Sequence, residues 1–188
     1  NKKIKTQRKD SVVCLPQGAD TDAFYLLEDK KVNKKLRILY SENFQYTPNV
    51  KGAFYIVNVI LPNLVGDFEI KFIGKGADKI DFKFSDSRLS VVGYVENIAN
   101  EYLYSDLFFA PLYERAGLQY KVLQAISCGL VTISTSIVEE SLSETSRGLF
   151  IADDTHKMIS LINDFISGRK YNSDYRADLR DFALANLS

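Results

Sequence analysis

Six apolar runs of strand length, separated by stretches with helical spacing, do most to limit what this 188-residue chain can fold into. They fall at Leu36 to Ser41, Glu69 to Gly74, Arg88 to Gly93, Asp106 to Leu112, Val131 to Ser136 and Gly148 to Asp153. Several are continuously apolar instead of alternating, which is the pattern of strands buried on both faces of a parallel sheet. Between the first two, Pro48 and Asn49 open a stretch through Leu64 that carries Val50, Phe54, Val57 and Leu61 at helical spacing. Glu96 to Tyr104, Leu118 to Cys128, Glu139 to Glu144 and Thr155 to Ile166 supply the other crossovers, with Asp154 or Thr155 as an N-cap and Gly168 as a C-terminal stop. The pattern predicts an α/β fold: a doubly wound, mostly parallel six-stranded Rossmann-like sheet with helices on both faces, binding ligands beyond the strands' C-terminal ends.

The flanks divide the chain into an interdomain linker and domain start over 1–34, a body over 35–170 and a C-terminal helix over 171–188. Ser11 to Pro16 reads as a short strand, Gln17 to Asp20 as a turn, and Phe24 to Leu27 as a small apolar anchor. Tyr175, Leu179, Phe182 and Ala183 recur at helical spacing, so the last helix is expected to pack back on the body. An apolar content of 46% is enough for the core of one domain.

Charge narrows the partners. Twenty-four basic residues balance twenty-four acidic ones, so the overall electrostatic footprint of a nucleic-acid binder is missing. Basic residues cluster locally, in Lys2, Lys3, Lys5, Arg8 and Lys9, and again in Lys30, Lys31, Lys34, Lys35 and Arg37. Such runs read first as solvated linker surface, with docking on anionic lipid as the alternative. Cys14 and Cys128 lie far apart in apolar contexts, as reduced buried thiols do, and a single histidine, His156, rules out a His/Cys zinc cluster. No apolar run approaches the length of a membrane span. The expected location is cytoplasmic, with peripheral contact at the inner membrane face left open. The first residue is not Met, which suggests a segment of a longer protein.

The stretch from Pro111 to Glu140 holds the strongest functional signal, because a strand ending at a proline runs into a glycine-initiated helix and then another strand. A helix starting beside a strand's C-terminal end offers unpaired N–H groups and a positive dipole end to an anion. Gly117, Lys121 and Gln124 are three or four residues apart and share one face, leaving Val122, Leu123 and Ile126 to the core. Gly117 would admit a phosphate, Lys121 would supply charge, and Gln124 would bond a hydroxyl-rich group such as ribose. An ordinary amphipathic helix with Lys and Gln facing water gives the same pattern. Gly74, Lys75 and Gly76 form a second phosphate-loop candidate, whereas Lys79 stands where a dinucleotide fingerprint needs its third glycine. Glu114, Glu139 and Glu140 border the same crevice, as ligands for sugar hydroxyls, as acid and base, or simply as partners of a helix dipole. His156, Asp153 and Asp154 are explained by a surface helix start and its cap.

From about Ser11 onward the chain resembles the C-terminal, donor-binding half of glycosyltransferases with two facing Rossmann-like domains, the GT-B fold, and especially glycosyltransferase family 4. Val12 to Phe24 is similar to the family's interdomain segment, and Tyr46, Pro48, Asn49 and Val50 to its Tyr-x-Pro-Asn-Val. Ile73 to Gly76 matches the glycine turn after the second strand. Val91 to Val95 and Tyr104 to Leu112 match the next two strand motifs. Ala116 to Gly129 resembles Gly-x-Gly-x-x-x-Lys-x-Leu-Glu-Ala-Met-Ala-x-Gly, and Thr135 to Leu142 the motif after it. Three positions depart from the pattern: Gln124 stands for the family glutamate, as in the glucuronosyltransferases of xanthan-type synthesis, Glu42 lies where an arginine is usual, and Val138 replaces a glycine.

The resemblance implies a nucleotide-diphosphate sugar donor, UDP- or GDP-linked, with no further cofactor and no metal. Its pyrophosphate would lie near Gly117, Leu118 and Lys121, with base and ribose toward Gly74, Gly76 and Gln124, and Glu140 nearby. Lys121, Arg115 and Glu114 are the candidates for catalysis, Lys121 and Arg115 by stabilising the departing nucleoside diphosphate. A glycan or lipid-linked acceptor would be held by an N-terminal domain that this chain lacks, so the chain alone would bind donor but transfer sugar poorly. The competing expectation is a catalytically silent relative used for scaffolding. A receiver or flavodoxin-like module lacks its acidic cluster or flavin loop here.

Overall fold

The computed structural model describes residues 18–27, 30, 33–83, 85–111, 119–142, 146–170, 172 and 174–187. The predicted strand over Ser11 to Pro16, Cys14, and the site candidates Glu114, Arg115, Gly117 and Leu118 lie outside them. All six body strands form: β1 (Leu36–Ser41), β2 (Phe68–Ile73), β3 (Leu89–Val92), β4 (Leu107–Ala110), β5 (Val131–Ser134) and β6 (Leu149–Ile151). They pair in the order β3-β2-β1-β4-β5-β6, and every pairing is parallel. The continuously apolar strands are central and the short β3 and β6 take the edges: all four residues of β4 and of β5 are buried, while those of β3 are half-exposed. Helices on both faces are what such burial requires.

Among the described residues five α-helices complete the layers: α1 (Thr47–Tyr55), α2 (Ile98–Tyr104), α3 (Tyr120–Ser127), α4 (Thr155–Ile166) and α5 (Asp174–Asn186). The stretch predicted from Pro48 to Leu64 is one continuous rod, in which α1 runs on through a π-helical turn over Ile56–Ile60 and a 3₁₀ turn over Leu61–Asn63. The wider π turn brings Ile56, Val57 and Ile60 together against the core, and Pro62 helps end the rod. Asn97 caps α2 by accepting from the Asn100 N–H at 3.3 Å, so that helix starts two residues after the predicted Glu96. Asp154 caps α4 in the same way, at 3.0 Å from the Lys157 nitrogen, and Gly168 follows the helix at φ +75° as its stop.

Two crossovers differ from expectation. Where a helix over Glu139 to Glu144 is predicted, the described residues form a 3₁₀ segment over Ser136–Ser141, because Asp153 accepts from both the Ser136 N–H (2.8 Å) and its hydroxyl (3.0 Å) and holds the turn to the end of β6. The described part of the helix after β4 begins at Tyr120, beyond the predicted Leu118.

The anchor and the last helix pack as predicted. Phe24 is buried and meets Tyr102 edge-on at 5.6 Å, and Tyr102 in turn packs on Phe108 of β4 at 5.3 Å. Arg180 of α5 donates to the carbonyls of Phe24 (2.9 Å), Thr21 (3.1 Å) and Ser127 (3.0 Å), tying the linker, α3 and α5 into one unit. Leu179 and Ala183 bury the inner face of α5.

Gly74 and Gly168 both have positive φ but in different surroundings. A Cβ on Gly74, at φ +135°, would lie 1.9 Å from the Glu42 carbonyl oxygen, whereas one on Gly168 would meet nothing within 4 Å. Gly168→Ala therefore carries only the left-handed penalty, about 1 kcal/mol, while Gly74→Ala adds a backbone clash and should cost about 3 kcal/mol or more. Urea denaturation of the two variants checks the ranking; equal losses would contradict it.

Candidate functional site

The upper rim of the sheet is built by backbone bonds between successive strand ends. The Glu42 N–H donates to Ile73 O at 3.0 Å, Phe44 N–H to Lys75 O at 3.0 Å, and Gly74 N–H to Gly93 O at 3.1 Å, so the turns leaving β1, β2 and β3 interlock. This gives the glycine-rich turn a structural reason. Gly74 must pass against the Glu42 carbonyl, and Gly76, at φ +89°, starts a 3₁₀ turn over Ala77–Lys79. Both glycines stand at the strand ends where the sequence places them.

The sheet order places β1 between β2 and β4, and the connections leaving β1 and β4 run in opposite directions. A crevice opens at such a switch point, beyond the C-terminal ends of the strands. Glu42 is the first residue after β1, and Lys121 lies in the first turn of α3, which follows β4. Their side chains meet in an ion pair across the crevice. The carboxylate side is almost sealed, with 6% of the Glu42 side chain exposed, while Lys121 keeps 35% of its own. Burial pushes the Glu42 carboxyl above the usual glutamate range; the Lys121 ammonium and a hydrogen bond from the Asn43 N–H act against that rise.

Lys121 is thus not the bare cation that the helix pattern alone suggests. It keeps its predicted face: Lys121 and Gln124 are half-buried, while Val122, Leu123, Ala125 and Ile126 are in the core. Sequence reasoning noted Glu42 only as a departure from a family pattern and missed it as the partner of Lys121. The available signal was a lone carboxylate two residues beyond the apolar run Ile38 to Tyr40.

Other candidates separate from the crevice or from the described residues. Glu139 is exposed in the 3₁₀ segment after β5, and the Glu140 side chain lies outside the described part. Asp153 and Asp154 are used in the turn and cap given above, and the His156 side chain is 97% exposed. Among the described residues no cluster of three or more His, Cys, Asp or Glu is placed to hold a metal, and no helix is long and apolar enough to cross a membrane. At the other end of the strands, beside the N-terminal ends of β1, β4 and β5, a cavity of about 330 Å³ is lined in part by Lys30, Asp106, Cys128 and Arg176. There Lys30 pairs with Asp106 at 2.9 Å, and burial pushes the Cys128 thiol up to about 12, so the thiol is inert.

The glycosyl transferases group 1 family matches residues 35–167, and the chain belongs to that family. No curated protein matches the sequence. Among solved structures, the fold is similar to that of a glycosyltransferase from Rickettsia africae ESF-5, with 15% identity and a TM-score of 0.71 over 92% of this chain and 52% of that one. It is also similar to Anabaena Alr3699/HepE, determined in complex with UDP, with 12% identity and a TM-score of 0.72 over 91% of this chain and 52% of that one. A third is the C-terminal domain of the group 1 family protein LpcC from Francisella tularensis, with 16% identity, a TM-score of 0.63, and coverage of 89% of this chain and 97% of that one. The chain therefore spans about half the length of the first two and nearly all of an isolated C-terminal domain.

The pair makes a signed prediction about stability. Because the folded state holds the Glu42 carboxyl above its unfolded range, the folded chain binds the proton more tightly than the unfolded chain between those two values. Ionising Glu42 then costs stability as pH rises through the folded value. Glu42→Gln, which cannot ionise, should gain relative to the parent chain by on the order of 1 kcal/mol between about pH 5 and pH 8. Urea titrations at the two pH values measure this difference. A parent chain that instead gains on the variant with rising pH would contradict it.

Proposed function

We propose that this chain is the donor-binding half of a glycosyltransferase that moves a hexosyl or glucuronosyl unit from a nucleotide-diphosphate sugar to a glycan or lipid-linked acceptor. The observation that carries this reading is the placement of Lys121 in the first turn of α3, at the switch-point crevice of a chain belonging to the glycosyl transferases group 1 family. HepE, which shares the fold, was determined with UDP and with UDP-glucose, and this supports a nucleotide sugar as the ligand class.

In this reading the diphosphate lies between the N-terminus of α3 and the Lys121 ammonium, where the helix dipole and a unit charge stabilise the leaving nucleoside diphosphate. Gln124, one turn along the same face, is the partner for ribose hydroxyls, and the Gly74 to Gly76 turn borders the base. Gly117 and Leu118 would complete the phosphate seat, with Arg115 adding charge and Glu114 and Glu140 facing the sugar. No metal or organic cofactor enters the scheme. The acceptor and the catalytic base belong to a preceding domain, and the assembled enzyme works in the cytoplasm, at or near the inner membrane face.

A second reading, a silent domain kept for binding a partner, draws on one specific observation. Glu42 neutralises Lys121, so the crevice offers less net positive charge than the helix pattern promises. Calorimetry with UDP, GDP and their sugars separates the two. The first reading expects binding at millimolar or tighter affinity that weakens at least tenfold in Lys121→Ala. No measurable binding of any nucleotide would favour the silent domain.

A further inference from the structure

Glu42 has no role in holding an anion; it opposes one, and its fixed position gives that opposition a consequence. Its N–H is bonded to Ile73 O, its carbonyl lies against Gly74, and its side chain is almost sealed from water. The backbone that carries the carboxylate is therefore fixed, and the carboxylate itself rests in a site almost closed to water when another anion claims Lys121. Lys121, by contrast, is one-third exposed at the end of a flexible side chain and can turn toward the crevice. A diphosphate that takes the ammonium would leave Glu42 as a buried carboxylate without its cation and beside new negative charge, the costliest state for such a group.

We infer that Glu42 is a positioning residue for Lys121 that takes up a proton when a nucleotide diphosphate enters the crevice, so that donor binding is coupled to protonation. The inference rests on the donor-binding reading above. The step balances simply: the ammonium transfers its hydrogen bond from the Glu42 carboxylate to a phosphate oxygen, and one proton from the medium neutralises the carboxylate. Among the described residues, the titratable groups facing Glu42 are Lys121 from α3 and Tyr102 from α2; β2's end contributes backbone only, through Ile73 and Gly74. Burial raises the Tyr102 phenol above its ordinary range, so it stays neutral and neither competes for this proton nor compensates for it. The elevated carboxyl of free Glu42 agrees with a group already poised to accept one.

The test is isothermal calorimetry of the 188-residue chain with UDP-glucose and GDP-mannose, across about pH 5.5 to 8.5, in buffers of different ionisation enthalpy. Both phosphates of these donors are esterified and do not titrate in that window, so uptake reports on the protein. The expected result is uptake that exceeds about half a proton in part of the range, with affinity falling toward tenfold per pH unit where uptake is complete. Glu42→Gln should bind with no such uptake, a flat pH profile and about tenfold tighter affinity at the alkaline end. The parent chain's proton count decides even if that variant does not fold. Binding by the parent chain with no proton uptake would overturn the inference and leave the donor-binding reading standing. No binding of either nucleotide sugar at any pH would remove that reading, and the inference with it.

Discussion

The position of β1, flanked by β2 on one side and β4 on the other, is the constraint from which the upper edge of this domain follows. The chain must leave β1 toward one end of the sheet and later return past it to build the other. The two departing connections diverge, and the space between them cannot be filled by either. Glu42 and Lys121 bridge that space. A carboxylate on the β1 side and an ammonium on the α3 side make a contact that spans the crevice without closing it, because the lysine remains partly exposed.

Such a pair is weak evidence for stability. Burying the carboxylate costs free energy that its partner only partly recovers, which is why the carboxyl sits above its ordinary range despite a cation in contact. The pair is better understood as a setting of the site. It fixes where the ammonium rests, and under the donor-binding proposal it keeps the pair's net charge near zero until a diphosphate competes for the lysine. The donor-binding and silent-domain readings differ on this one point, whether the lysine can be drawn away from Glu42.

Much of the fold was legible because strands buried on both faces have no polar side. The runs at Ile38 to Tyr40, Leu107 to Ala110 and Val131 to Ile133 announce themselves by composition, and Asp154 and Gly168 bound α4 by local chemistry alone. The crossover after β5 was not legible. Its geometry depends on Asp153 accepting from Ser136, a contact made only once β6 lies beside β5. The site divides in the same way. That Lys121 and Gln124 share a face follows from helical spacing, but the partner of Lys121 lies 79 residues away and is set by strand order. Gly74 reads in sequence as a phosphate loop, whereas its conformation answers to the Glu42 carbonyl beside it. Contacts fixed by topology are hidden from local pattern.

If the chain binds a nucleotide sugar as proposed, the ligand's phosphates belong in the crevice bridged by Glu42 and Lys121. A crystal structure of the chain grown with UDP-glucose tests it most directly. Donor binding at this place predicts diphosphate density between the strand ends of β1 and β4, with the Lys121 Nζ within hydrogen-bonding distance of a phosphate oxygen and no longer on Glu42. Nucleotide bound elsewhere, or bound in the crevice with the lysine still on its carboxylate, would contradict it.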